Sequence, residues 1–265
     1  MHDADLDYAL YLISIKLTDS GKTLQDFELP NFTTDWGRTF GNELIATELN
    51  YDPLEQITAH DTSLVQLNSH QRHAYTTILH SINERLKSLY FVQGPAGTGK
   101  TSLYKVLCNY FHSKGKIVLC VASSGIAALL LPGGQISHSR FKIRIVINES
   151  STCSISPNTL LAGLIKETSL IISHEVPMQY RHCFKAVNHT LNDIGGTAPL
   201  ALFRNISILL GRDFAQILPV VRMGNPGATV AACLQSSPLW SKFTILFLHQ
   251  NIRVRAGETN LEFAN

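Results

Sequence analysis

Gly94-Pro95-Ala96-Gly97-Thr98-Gly99-Lys100-Thr101 follows the pattern G-x-x-x-x-G-K-[ST]. Glycines let such a loop wrap closely enough for successive N–H groups to face an anion, and the partial positive charge of a helix N-terminus adds to the attraction. Lys100 is spaced to reach the β- and γ-phosphates of a nucleoside triphosphate, and Thr101 to offer its hydroxyl to Mg²⁺. Two other residues carry weaker signals. Gln71 opens a helical stretch, and its amide can both donate to and accept from an adenine edge, although a solvent-facing glutamine is the plainer reading. His174 and Glu175 end the apolar run from Leu170 and put an imidazole and a carboxylate at a predicted strand end; an imidazole is a poor ligand for a hard cation, which prefers oxygen. Read instead as a transition-metal ligand, His174 has no neighbouring Cys, His or Asp at the usual spacing to complete a set.

The P-loop pattern is credible only between a strand and a helix, and the flanking sequence supplies both. Short apolar runs predict strands at Leu89 to Gln93, Ile117 to Ala122, Leu170 to Ser173, Ile206 to Gly211 and Thr244 to Leu248. Helical spacing predicts helices at Gln71 to Lys87, Lys100 to Lys114, Ile126 to Leu131, Tyr180 to Asp193 and Thr229 to Leu234. Strands alternating with helices imply an α/β domain with a parallel sheet. Before it, Tyr8 to Leu17 reads as a short helix, and Phe27 to Leu67, with Pro30, Pro53 and isolated aromatics, reads as an extended connector. The expected division is 1–66 for the N-terminal helix and connector, 67–250 for the nucleotide-binding lobe, and 251–265 for the truncated start of a second lobe.

Apolar residues make up 45% of the 265 and charged residues 16%, enough to build a core and too apolar for a broadly disordered chain. A formal charge of +2 is too small to announce a nucleic-acid partner, so that argument falls to motifs. The five cysteines, Cys108, Cys120, Cys153, Cys183 and Cys233, form no C-x-x-C pair and read as reduced, buried thiols. Ile117 to Leu131 is too short and too interrupted to span a bilayer. Asp3, Asp5 and Asp7 give the N-terminus the wrong charge for a secretory or transit segment, so an intracellular site is expected.

The P-loop followed by Val121-Ala122-Ser123-Ser124-Gly125-Ile126-Ala127-Ala128-Leu129-Leu130-Leu131 and by His138-Ser139-Arg140-Phe141-Lys142-Ile143 resembles the PIF family of superfamily-one, 5′-to-3′ DNA helicases, in particular the helicase part of Helitron-type transposons. The likeness covers about Gln71 to Arg253, and the segment Gly21 to Phe27 resembles what precedes such domains. It implies a RecA-like P-loop NTPase, a doubly wound parallel sheet with a short helical N-terminal extension, with ATP and Mg²⁺ as cofactors and single-stranded DNA as partner. Gln71 is then the adenine-reading glutamine. Ser124, Gly125, His138, Ser139 and Phe141 lie on strand-gripping loops, Phe141 by stacking on a base. Gly211 to Pro219 resembles the third motif, in which Gln216 senses the γ-phosphate. Leu248 to Arg253 resembles the opening of the second lobe, where Arg253 stabilises charge on the transferring phosphoryl group. Roles in DNA recombination, repair or telomere maintenance and a nuclear or mitochondrial site are further implications.

The sequence departs from this family at several positions. His174 stands where the second motif has aspartate, while Glu175 is retained where the resemblance implies a residue that orients the attacking water; Arg212 stands where the third motif has its second glycine, and Ala215 where it has arginine. The chain also stops at Asn265, so the second motor lobe is expected to be missing, as in a fragment or a degenerate transposon copy. Unaided unwinding is therefore not expected of this chain. The alternative reading is a catalytically inactive nucleotide- or DNA-binding remnant. A small-molecule kinase is disfavoured, because it has no reason to carry the His138 to Ile143 and Asp213 to Pro219 motifs.

Overall fold

The computed structural model describes residues 3–252, except 20–21, 35, 37–40, 85, 87, 196–200 and 212–217. Apolar runs become strands where the sequence places them: Leu89–Gln93 (β1) and Ile117–Ala122 (β2) coincide with expectation. Gln135–Ile136 (β3) is an additional, exposed edge strand, while Thr168–His174 (β4), Ser207–Gly211 (β5) and Thr244–Phe247 (β6) differ from expectation by one or two residues at their ends. All pair in parallel, in the order β3-β2-β4-β5-β1-β6.

Successive strand side chains point to opposite faces, and here both faces are covered. Phe91, Leu119, Ile171, Ile208 and Leu210 enter one core with Leu164, Phe184 and Leu191. Their strand neighbours Val92, Val118, Ile172 and Leu209 enter the other core with Ile78, Leu103, Leu107 and Phe111. That two-sided burial is why the strands read as unbroken apolar runs.

The helices follow in chain order: Asp3–Asp19 (α1), Glu43–Leu49 (α2), Pro53–Val65 (α3), Ser69–Asn83 (α4), Lys100–Ser113 (α5), Gly125–Ala128 (α6), Ser137–Arg140 (α7), Leu160–Glu167 (α8), Arg181–Gly195 (α9) and Pro226–Ala232 (α10). The expected extended connector is overturned by α2 and α3. Asn42 caps α2 through its Oδ1, which accepts from the N–H groups of Leu44 and Ile45 at 3.0 and 3.3 Å. Asp52 caps α3, accepting from Leu54 N–H at 2.8 Å, with Pro53 pre-set for the first turn. Both helices dock on the lobe: α2 lies against α8 and β2, and α3 lies along α5. His60 of α3 bonds the Tyr75 hydroxyl of α4 through Nε2 at 2.8 Å. The stretch from Glu43 to Val65 is thus helical and packed onto the nucleotide-binding lobe.

Candidate functional site

Strand β1 ends at Gln93 and the P-loop turns directly into α5. Gly94 must be glycine because a Cβ there would stand 2.6 Å from the Leu248 carbonyl oxygen. Gly99 has φ +77°, and a Cβ on it would overlap the Gln71 amide nitrogen. The loop is held by one bond of its own and from two sides. Thr98 Oγ1 donates to Pro95 O at 2.9 Å, Ile252 N–H to Gly97 O at 2.9 Å, and Gln71 Nε2 to Thr98 O and Gly99 O at 3.1 and 3.3 Å.

Gln71 is only 2% exposed, so it is not the solvent-facing side chain that its position alone suggests. Its Oε1 accepts from Asn68 N–H and completes a capping box with the Asn68 side chain. It braces the P-loop, a role that sequence reasoning missed although Asn68-x-x-Gln71 is a capping signature. Lys100 folds back with Nζ on the carbonyl oxygens of Gly94 and Pro95, at 2.5 and 2.9 Å. Its ammonium is therefore held over the loop's own rim, and Thr101 follows it at the start of α5. Gly94, Pro95, Ala96, Gly97, Thr98, Gly99, Lys100 and Thr101 form one continuous cradle.

Strand β4 lies beside β5, which lies beside β1, and delivers His174 and Glu175 to the same edge of the sheet. Glu175 adopts left-handed backbone, φ 60°. Its N–H donates to Gly211 O at 3.1 Å, and its carbonyl accepts from Ser123 Oγ at 2.9 Å. Its carboxylate Oε2 accepts from Ser124 Oγ at 3.2 Å. Ser123 had no assigned role in the sequence reading. His174 is 8% exposed, with its ring edge-on to Tyr104 of α5 at 5.6 Å between centroids. The described residues hold no group of three or more His, Cys, Asp or Glu arranged to bind a metal. The Thr101 hydroxyl is a hard oxygen of the kind that suits a cation carried with a triphosphate.

The loops after β2 and β3 carry the strand-gripping candidates, and because these strands are parallel neighbours their carboxyl ends share one rim. Ser124 is half-buried as the N-cap of α6, and Gly125, His138 and Ser139 are exposed. Ser137 Oγ ties α7 to Ala122 O at 3.0 Å. His138 Nε2 lies 4.0 Å from the Cys183 thiol, and partial desolvation lowers the imidazole pKa. Phe141 is 4% exposed inside the core with Ile143 and Phe184, which corrects the expected base-stacking role: its ring is already packed. Arg140, between them, makes a buried ion pair with Glu48 of α2. A separate cavity of 520 Å³ opens beside Ser139, lined by Tyr11, Phe32, Glu43, Arg140 and Lys142, and does not include the P-loop. Gln216 and Arg253 lie outside the described residues.

A phosphate cradle on the carboxyl edge of a six-stranded parallel sheet, with an acidic residue two strands away, defines a RecA-like P-loop nucleotide-binding lobe. The family model for PIF1-like helicases matches residues 66–264, and the chain belongs to that family. It is 28% identical over 169 residues to the ATP-dependent DNA helicase Pif1 of Psychrobacter sp. (strain PRwf-1), covering 63% of this chain and 25% of that protein. It is also 28% identical over 160 residues to the ATP-dependent DNA helicase PIF4 of Trypanosoma brucei brucei, covering 59% of this chain and 19% of that protein. Among solved structures, Pif1 helicase from Bacteroides in complex with ADP-AlF3 and ssDNA superposes with a TM-score of 0.59 at 22% identity, over 72% of this chain and 43% of that one. The unliganded Bacteroides Pif1 gives 0.57 at 22% identity, over 71% and 42%. The chain therefore spans a quarter or less of the curated relatives named and under half of the solved chains.

Proposed function

We propose that this chain binds Mg-ATP on its P-loop and is the first motor lobe of a PIF-like 5′-to-3′ DNA helicase, coupling hydrolysis to movement along single-stranded DNA. The observation that carries the reading is the Ser124–Glu175 hydrogen bond, which joins the strand-gripping rim to the acidic residue beside the phosphate cradle. Lys100 exchanges its two loop carbonyls for phosphate oxygens, gaining charge-assisted bonds in place of neutral ones. Glu175 takes a proton from the attacking water as its oxygen bonds to the γ-phosphorus and the bond to the β–γ bridging oxygen breaks, leaving ADP and phosphate. Thr101 would hold Mg²⁺ together with the nucleotide through its hydroxyl, and the ion would supply charge stabilisation. Gln216 and Arg253 complete the phosphate-sensing set by family resemblance, which also supports a nuclear or mitochondrial setting and work in DNA recombination, repair or telomere maintenance.

His174 favours a second reading, a nucleotide- and DNA-binding module without turnover, because an imidazole is a poor holder of magnesium water. Two measurements separate the readings. The Lys100→Ala variant is expected to bind a fluorescent ATP analogue about 10- to 100-fold more weakly than the parent chain; unchanged binding refutes the cradle. Hydrolysis with Mg²⁺ and single-stranded DNA, compared between the chain and its His174→Asp form, then decides turnover. DNA-stimulated hydrolysis by the parent chain supports the motor. Binding with no turnover in either form supports the module. Turnover restored only by His174→Asp locates the defect at that residue.

A further inference from the structure

We propose that this chain does not select adenine over guanine: Gln71, the residue expected to read the base, is committed to the P-loop, and the site takes nucleoside triphosphates of either purine. The proposal rests on the nucleotide-binding reading of the P-loop and names the substrate class of that same site.

A glutamine amide has two N–H donors and one carbonyl oxygen. Gln71 Nε2 donates to Thr98 O at 3.1 Å and to Gly99 O at 3.3 Å, which uses both donors. Its Oε1 accepts from Asn68 N–H at 2.9 Å. The two ends of the amide cannot be exchanged. An oxygen turned toward the carbonyls of Thr98 and Gly99 would meet only acceptors, and a nitrogen turned toward Asn68 N–H would meet a donor. The side chain is also enclosed. It is 2% exposed, and a Cβ on Gly99 would overlap Nε2 and stand 2.9 Å from Ile252 Cδ1, so the amide and Ile252 together fill that face of the loop.

A glutamine that reads adenine donates to N7 and accepts from the N6 amino group, whereas guanine presents an acceptor, O6, in place of that amino group. In this site the donor would have to be withdrawn from the carbonyl of Thr98 or Gly99, and Thr98 has 0% exposure. Such an exchange trades a bond that braces the cradle for a bond to the base and brings no net preference. What remains is recognition of the triphosphate by the loop and Lys100, which is the same for both purine nucleotides.

The test displaces a fluorescent ATP analogue from the whole chain, in the presence of Mg²⁺, with ATP, GTP or inorganic tripolyphosphate. ATP and GTP are expected to compete within about threefold of one another, where two hydrogen bonds made to adenine alone would separate them by about tenfold or more. A preference for ATP beyond the threefold range overturns the inference. Gln71→Ala is expected to weaken all three competitors by one common factor of about three- to tenfold, because it loosens the loop that all three use. A loss confined to ATP overturns the inference as well. The comparison of ATP with GTP uses the unaltered chain and holds even if Gln71→Ala does not fold. Failure of the analogue and of all three competitors to bind refutes nucleotide binding on the P-loop, and this inference with it.

Discussion

Tyr104 and Gly211 join the helix that follows the P-loop to the strand end that holds Glu175, and their packing yields a quantitative prediction. Tyr104 is fully buried, and its hydroxyl makes no hydrogen bond among the described residues. Burial pushes its phenol pKa well above the ordinary range. A buried hydroxyl without a partner costs about 1–3 kcal/mol, so Tyr104→Phe is expected to stabilise the fold by about 1 kcal/mol once the lost packing of the oxygen is subtracted. For a chain of this size that is an increase of about 2–4 °C in Tm. Gly211→Ala is expected to do the opposite. Its Cβ would overlap the Tyr104 hydroxyl and stand 2.9 Å from Cζ and 3.4 Å from Val92 O. Overpacking of this kind costs about 1–3 kcal/mol. In the Tyr104→Phe background the overlap with oxygen disappears and only the tight Cζ contact remains, so the cost of Gly211→Ala should fall by about 1–2 kcal/mol. Urea denaturation of the four proteins measures this coupling. Additive effects, with Gly211→Ala equally damaging beside Tyr or Phe, would refute the assignment of the conflict to the hydroxyl.

Glu48→Ala leaves the Arg140 guanidinium buried without its partner and is expected to destabilise the chain by about 3–5 kcal/mol, measured by urea unfolding; adding Arg140→Met should recover much of that loss. His112 is buried against the ring of Tyr51 at 3.8 Å, and burial holds its pKa at about 4, below the ordinary 6.5. The unfolded chain therefore binds a proton in the window from 6.5 down to about 4 that the folded chain does not. This contribution is fully present above pH 6.5 and is lost as pH falls through that window, with a slope approaching about 1.4 kcal/mol per pH unit. His112→Phe keeps the stack on Tyr51 and should remove that part of the slope in stability measured between pH 4 and 7; an unchanged slope would assign it to other groups.

The legible parts of the site were those whose geometry is local. The P-loop needs its glycines, Lys100 and Thr101 in one continuous stretch between a strand and a helix, so spacing alone located it. The strands were legible because burial on both faces leaves an unbroken apolar run, and family resemblance supplied Glu175 and the rim residues. The helices α2 and α3 escaped notice because their apolar stripes are weak, although Asn42, Asp52 and Pro53 were capping signals available in the sequence. Phe141 shows the opposite failure, since an aromatic residue within a motif expected to grip a strand carries no mark of which way its ring points.

What the sequence determined by itself was a nucleotide cradle in an α/β lobe of a recognisable family. The tertiary structure decided that Gln71 braces the P-loop, that Ser123 and Ser124 hold Glu175, and that Glu48 of the N-terminal segment neutralises Arg140 beside the rim. Each of these contacts joins residues that are between 27 and 92 positions apart. The order of strands in the sheet brings them together, and no spacing along the chain encodes a partner that only the packing of the sheet and its helices can deliver.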